Sequence, residues 1–370
     1  MSQHTNLFSP FAIPGLELNN RVVMAPMTRR ASPGGVPGDD VAAYYRRRAE
    51  GGVGLIITEG TTIGRPAASS DAAIPNIYGA QSIEGWLRVV EGVHAAGGKI
   101  AVQLWHMGMQ RAPGTGPNPD APTEGPSAVP GNSRAMTESD IADVIAAFAD
   151  AAQTARAIGF DAVEVHGAHG YLIDQFFWDK TNGVPSEYAG SISARTRFAA
   201  EVVRAIRSKV GSQFPISLRF SQWKVQDYDG RLAQSPAELE AFLLPLKDAG
   251  VNILHASTRR FWEPEFAGSS LNLAGWAKKI TGLPTITVGS VGLEGPDFMH
   301  ALRARNGDEQ YAEHKSASLD ALLRRLDDGE FDLVAVGRAL AADPHWVSKI
   351  RDGADDRILT FNRSALDALV

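Results

Sequence analysis

Short apolar runs recur along the chain, and each is followed by a stretch patterned for a helix. The runs are Arg21–Ala25, Leu55–Glu59, Lys99–Trp105, Asp161–His166, Pro215–Phe220, Asn252–Ala256, Pro284–Val288 and Leu333–Val336. They are nearly continuous in hydrophobicity, as strands of a parallel sheet covered by helices must be. Between them, Thr137 with Asp140 three residues on opens an apolar stripe of Ile141, Val144, Ile145 and Phe148, the grammar of a capped amphipathic helix. Phe198, Val202, Ile206 and Val210 repeat before Gly211, and Leu319, Leu322, Leu323 and Leu326 before Gly329. Ser235-Pro236-Ala237-Glu238 combines a cap, a first-turn proline and an acidic third position. Pro245 falls inside the stripe that follows, which predicts a kink or an early end there.

Eight strand–helix units in one chain argue for an α/β protein of the (β/α)8 barrel type over a doubly wound sheet. Residues 7–18 read as a hairpin lid on the bottom of that barrel. No repeat, linker or low-complexity stretch divides residues 1–370, so a single domain is expected. The length beyond a minimal barrel lies after strands, at 107–137, 171–194, 258–272 and 291–313. The first of these carries six prolines and five glycines, too much irregular chain for a mere connector. Loops after strands lie on the C-terminal face, where barrel active sites form.

Composition narrows the chemistry. The chain has 370 residues, a formal charge of −6 and no cysteine, so a disulfide framework, a thiolate nucleophile and cysteine-ligated metal clusters are excluded. The mild acidity is spread evenly and offers no footprint for nucleic acid or an anionic membrane. No signal peptide is read at Met1–Asn6, and no run approaches the ~18 apolar residues of a membrane span. A cytoplasmic protein is the expectation.

The candidate site sits after the fourth run, in Val165-His166-Gly167-Ala168-His169-Gly170-Tyr171. Two imidazoles three residues apart can converge on one oxygen, and a phenol two residues later can hand over a proton. A partial metal site is the competing reading of His-x-x-His, but a third ligand is not evident and no metal is expected. Gln103 and Arg219 are polar residues inside apolar runs and need partners there. Gly289-Ser290 and Gly337-Arg338 end the last two runs, where barrel phosphate sites commonly form. No Gly-x-Gly-x-x-Gly is present, so a Rossmann dinucleotide site is not supported.

These segments resemble the Old Yellow Enzyme family of FMN-dependent ene-reductases. Asn19–Arg29, Glu59-Gly60, Gln103-Leu104-Trp105-His106, His166–Leu172 and Val336–Leu340 stand in the family's order and spacing over some three hundred residues. The resemblance implies non-covalent FMN. Backbone from Ala25, Pro26, Met27 and Gly60 would lie against the isoalloxazine, although Gly60 alone also fits a plain turn. Thr28 would bond the flavin C4 carbonyl, though read alone it fits a cap. Gln103 and Arg219 would hold the pyrimidine edge, and Gly289, Ser290, Gly337 and Arg338 the phosphate. His166 and His169 would grip a substrate oxygen, Tyr171 would protonate carbon, and Trp105 would shape the cavity or serve as a core aromatic.

The implied reaction is ping-pong: NADPH or NADH delivers a hydride, and the activated C=C bond of an enone, enal or nitro compound takes it up. Alternatives are a flavin dehydrogenase or demethylase working in the oxidative direction, a non-catalytic flavin redox sensor, and a metal-dependent barrel hydrolase. The chain departs from the family pattern at Val184–Ser191, at Val291–Glu294 with the charged stretch to His314, and in the aromatic, cationic loop 258–266. That loop fits the substrate pocket or simple packing equally well.

Overall fold

The computed structural model describes residues 6–183, 186–293 and 319–370; the departures at 184–185 and 294–318 lie outside them. In chain order the strands are β1 (Phe11–Ile13), β2 (Leu16–Leu18), β3 (Val22–Met24), β4 (Leu55–Thr62), β5 (Lys99–Trp105), β6 (Glu124–Gly125), β7 (Arg134–Ala135), β8 (Ala162–His169), β9 (Ile216–Lys224), β10 (Ile253–Ser257), β11 (Thr285–Val288) and β12 (Leu333–Val336). β3, β4, β5, β8, β9, β10, β11 and β12 pair in parallel and close into a barrel, so the eight apolar runs are its eight staves. β1 and β2 form the antiparallel hairpin. Its Phe11, Leu16 and Leu18 pack with Val23, Leu55, Ile57, Ala101, Ala162, Ile253, Ile286 and Leu333, so the hairpin plugs the barrel's lower end with apolar contacts.

Alternation along each strand sorts the side chains. Ile100, Val102 and Leu104 of β5, Val163 and Val165 of β8, and Ile216, Leu218 and Phe220 of β9 join the outer core under the helices. The intervening positions turn inward, and above the apolar plug they are polar: Gln103, Glu164, Ser217, Arg219 and His255, all buried. Register places Gln103 beside Glu164, Glu164 beside Ser217 and Arg219 beside His255.

The helix signals hold. Thr137 forms a full capping box with Asp140, and the Ser235 side chain accepts from the Glu238 N–H. The early end expected at Pro245 is not seen, because the helix Pro236–Ala249 continues past it to a Gly250 cap at φ 107°. Buried Phe242, Leu243, Leu246 and Ala249 bracket the proline, and this packing offsets the one backbone hydrogen bond it removes.

The loop 107–137 is tied down by charge. Buried Glu124 accepts from Arg65 at 2.8 Å and Arg134 at 3.1 Å, and fully buried Arg111 donates to the carbonyls of Ser69, Ala121, Thr115 and Asn118. β4 runs three residues further than its apolar stretch, to Thr62. Over those residues it keeps pairing with β5, Thr62 opposite Trp105, and Glu59 Oε2 accepts the backbone N–H groups of Arg29 (2.8 Å) and Arg30 (3.2 Å) and so fixes the turn after β3.

Burial pushes the Glu59 carboxyl up to about 7, against the pull of those two N–H groups. Its Oε1 has no partner, which suits a proton. A carboxyl raised in the folded state favours folding while protonated, and that contribution fades as pH climbs from about 4.5 to 7. Glu59→Gln is therefore expected to stabilise the protein by roughly 1–3 kcal/mol at pH 8 and by little at pH 5, measured by urea unfolding at both values. An equal effect at the two pH values would refute this.

Candidate active site

One cavity of about 430 Å³ opens at the C-terminal ends of the barrel strands, within the range of small-molecule sites. All the residues singled out in the sequence line it: Ala25, Pro26, Met27 and Thr28 after β3, Gly60 of β4, Gln103 and Trp105 of β5, His166, His169 and Tyr171 at the end of β8, Arg219 of β9, Gly289-Ser290 after β11 and Gly337-Arg338 after β12.

The floor is a polar network. Glu164 accepts from Gln103 Nε2 at 2.8 Å, Ser217 Oγ at 3.0 Å and His255 Nδ1 at 2.8 Å. Burial alone would push its carboxyl up, but the His255 ring, Arg219 and the Gln103 amide outweigh that and hold it at about 2. The Gln103 amide oxygen is left without a partner among the described residues. Arg219 donates from Nη2 to Ser257 Oγ at 3.2 Å, while its buried Nε has no partner. An orphaned guanidinium N–H, an amide oxygen and the Thr28 hydroxyl lining the same cavity match a ligand edge bearing both carbonyl oxygens and an N–H.

The β8 turn presents the histidines and the tyrosine. His166 Nδ1 accepts from the Ala168 N–H at 3.3 Å, so its proton sits on Nε2. His169 adopts φ 65° and Gly170 φ 80°, two consecutive left-handed residues that need holding. Ser221 Oγ accepts the His169 N–H at 3.0 Å and Asp174 accepts the Gly170 N–H at 2.6 Å. Asp174 is locked in turn by Lys224, 2.6 Å away and equally buried. Truncating either partner of such a pair strands a buried charge, at a cost of about 3–5 kcal/mol.

Ring geometry brings the three groups together. His166 lies edge-on to His169 (5.2 Å between centroids) and to Tyr171 (5.0 Å), and Tyr171 lies edge-on to Trp105 (5.0 Å). Burial, then the Arg219 charge, lowers both imidazoles, His166 to about 3 and His169 well below its usual value. Both rings are neutral near pH 7. Burial raises the Tyr171 phenol, so it keeps its proton. Two neutral N–H donors and a protonated phenol can bind an oxygen and protonate a neighbouring carbon.

At the opposite end, Ser290 adopts φ 50° and its Oγ accepts from Arg338 Nη2 at 3.1 Å. Gly289 has φ 144°, and a Cβ there would meet Thr258 O at 2.8 Å, so the close approach of this loop to β10 demands glycine.

Several wall residues are not singled out by the sequence reading: Trp223, Val225, Ser257, Leu293 and Leu366. Ser257 and His255 were signalled by the alternation that flags Gln103, since each is polar two residues from its neighbour on the inward face. Trp223 and Leu366 carried no such mark. The loop 258–266 divides between its two readings: Thr258 and Arg259 line the cavity, whereas Phe261 is buried and its carbonyl accepts from Asn272. Among the described residues, no group of three or more His, Asp or Glu could hold a metal ion, and no helix is long and apolar enough to cross a membrane.

Residues 6–307 match the model of the NADH:flavin oxidoreductase / NADH oxidase family. A Thermoanaerobacter brockii NADH oxidase is 34% identical over 97% of this chain, which spans 52% of that protein. A 12-oxophytodienoate reductase 7 from Oryza sativa subsp. japonica is 42% identical over 56% of each chain. The chain thus spans about half the length of curated relatives it matches. Among solved structures, morphinone reductase in complex with tetrahydroNAD superposes with a TM-score of 0.79 at 30% identity, covering 98% of this chain and 94% of that one. The Old Yellow Enzyme homologue from Zymomonas mobilis gives 0.78 at 25% identity, covering 98% and 96%. A closed barrel with this cavity at its strand ends, matched along nearly its whole length, places the chain in the NADH:flavin oxidoreductase / NADH oxidase family, among the Old Yellow Enzymes.

Proposed function

We propose that the protein is an FMN-dependent ene-reductase that consumes NAD(P)H and reduces the activated C=C bond of enones, enals or nitroalkenes. The observation that carries this reading is the meeting of two neutral imidazoles and a protonated phenol in the same cavity as an orphaned guanidinium N–H. The pyrimidine edge of a flavin carries an N–H flanked by carbonyls, which suits the Gln103 oxygen, Arg219 Nε and the Thr28 hydroxyl. Backbone from Ala25, Pro26, Met27 and Gly60 would flank its rings. Gly289, Ser290, Gly337 and Arg338 would hold its phosphate. FMN supplies reversible hydride chemistry when bound.

The chain's own residues then divide the remaining work. His166 donates its Nε2–H to the carbonyl or nitro oxygen, and His169 donates from the side, so negative charge developing on that oxygen is stabilised. Each neutral ring still carries one N–H to donate, and neither adds a buried cation beside Arg219. Tyr171 gives its proton to the carbon next to the activating group. Arg219 offers a fixed positive charge beside the ring system that gains electrons. Trp105 packs against Tyr171 and limits the cavity on that side.

A second reading has one observation in its favour, the 34% identity with a protein named NADH oxidase: electrons would pass to dioxygen instead of a C=C bond. Oxygen uptake compared with enone loss at equal NADH consumption separates the two.

Tyr171→Phe is expected to leave flavin reduction by NAD(P)H near the wild-type rate and to slow enone reduction by about 10²–10⁴-fold, read as two stopped-flow phases. Equal slowing of both phases would make Tyr171 structural; no slowing would assign the proton to another donor. Replacing both His166 and His169 by Ala should retain FMN but weaken binding of phenols by about 10²-fold or more, since two hydrogen bonds to an anionic oxygen are lost. Unchanged phenol titrations would rule the histidines out as oxygen ligands.

A further inference from the structure

We propose that Ser257 is a positioning residue: its hydroxyl links Arg219 to His169, fixes His169 as the Nδ1–H tautomer and thereby makes it a hydrogen-bond donor into the cavity. The substrate end of this inference rests on the ene-reductase reading; the hydrogen-bond chain stands on its own geometry.

Three contacts define it. Arg219 Nη2 reaches Ser257 Oγ at 3.2 Å, Ser257 Oγ lies 2.8 Å from His169 Nε2, and Trp223 Nε1 donates to the Ser257 carbonyl at 3.1 Å. A guanidinium only donates, so Ser257 Oγ must accept from Arg219. The hydroxyl has one hydrogen of its own, and Ser257 is 2% exposed. Among the described residues the acceptor within its reach is His169 Nε2. Were His169 instead to donate from Nε2, the hydroxyl hydrogen would find no acceptor among the described residues, at about 1–3 kcal/mol. The chain therefore runs one way, from Arg219 through Ser257 to His169, and leaves the His169 proton on Nδ1.

The ring is held on its flat side as well. Trp223 stacks on His169 with centroids 4.5 Å apart at 26°, and Tyr228 stacks behind Trp223 at 5.8 Å and 29°. With Nε2 anchored and one face covered, the imidazole can turn only its Nδ1 edge to a ligand. Ser257 also ties two jobs together: the cation proposed to face the flavin edge and the donor proposed to face the substrate oxygen share one hydroxyl. Charge gained near Arg219 would strengthen or weaken the same chain that polarises His169.

The test is histidine ¹⁵N NMR on FMN-loaded wild-type protein and Ser257→Ala, with 4-chlorophenol titrations of both. Wild-type His169 should show an unprotonated Nε2 and a protonated Nδ1. In Ser257→Ala the Nε2–H tautomer should become populated, and the phenol dissociation constant should rise about tenfold while FMN stays bound. A wild-type His169 protonated on Nε2, or a tautomer indifferent to Ser257→Ala, overturns the proposal. If the tautomers behave as stated but wild-type protein binds no phenol, the link stands and the ene-reductase reading falls.

Discussion

Glu164 sits inside the barrel with no solvent contact, and hydrogen bonds from three other strands end on its two oxygens. Burying an unpaired carboxylate costs several kcal/mol, so every donor around it is committed. Gln103 spends an amide hydrogen, Ser217 its hydroxyl and His255 its Nδ1–H. Those commitments decide what faces upward. The Gln103 oxygen is turned outward as an acceptor, and Arg219 is buried with its charge offset by the Glu164 carboxylate close by. The cavity's polar wall is thus the upper surface of a network whose lower half never meets a ligand.

The same field sets the protonation of the β8 turn. Burial and the nearby guanidinium keep His166 and His169 neutral, while burial keeps Tyr171 protonated. A site built this way presents hydrogen-bond donors without net charge to the cavity. Its geometry is costly to hold, since His169, not a glycine, adopts left-handed backbone. The buried Lys224–Asp174 pair and the Ser221 hydroxyl supply the restraint. Positioning, more than an unusual reactive group, is what these residues contribute.

Much of this was legible in the sequence. Eight apolar runs separated by capped, striped segments specify a barrel, because period and cap are local properties of the chain. Gln103 and Arg219 stood out as polar residues in apolar runs, and the His166–Tyr171 segment as a cluster at a strand end. Glu164 shared the first signal, one polar residue among valines, yet its meaning needs the register that sets it beside Gln103 and Ser217. Trp223 and Leu366 could not be found from pattern at all. A tryptophan after a strand and a leucine in an irregular tail reach the cavity only through tertiary packing. Pro245 does not end its helix, because buried neighbours on both sides hold the turns together where a purely local rule would stop them.

The proposed hydride transfer from NAD(P)H through FMN to an activated alkene is open to anaerobic absorption spectroscopy, with the FMN-loaded protein titrated first with NADPH or NADH and then with 2-cyclohexenone. The visible flavin absorbance should bleach with one equivalent of nicotinamide and return with one equivalent of enone, yielding cyclohexanone. A flavin that does not bind, does not bleach, or stays bleached when the enone is added would contradict this transfer.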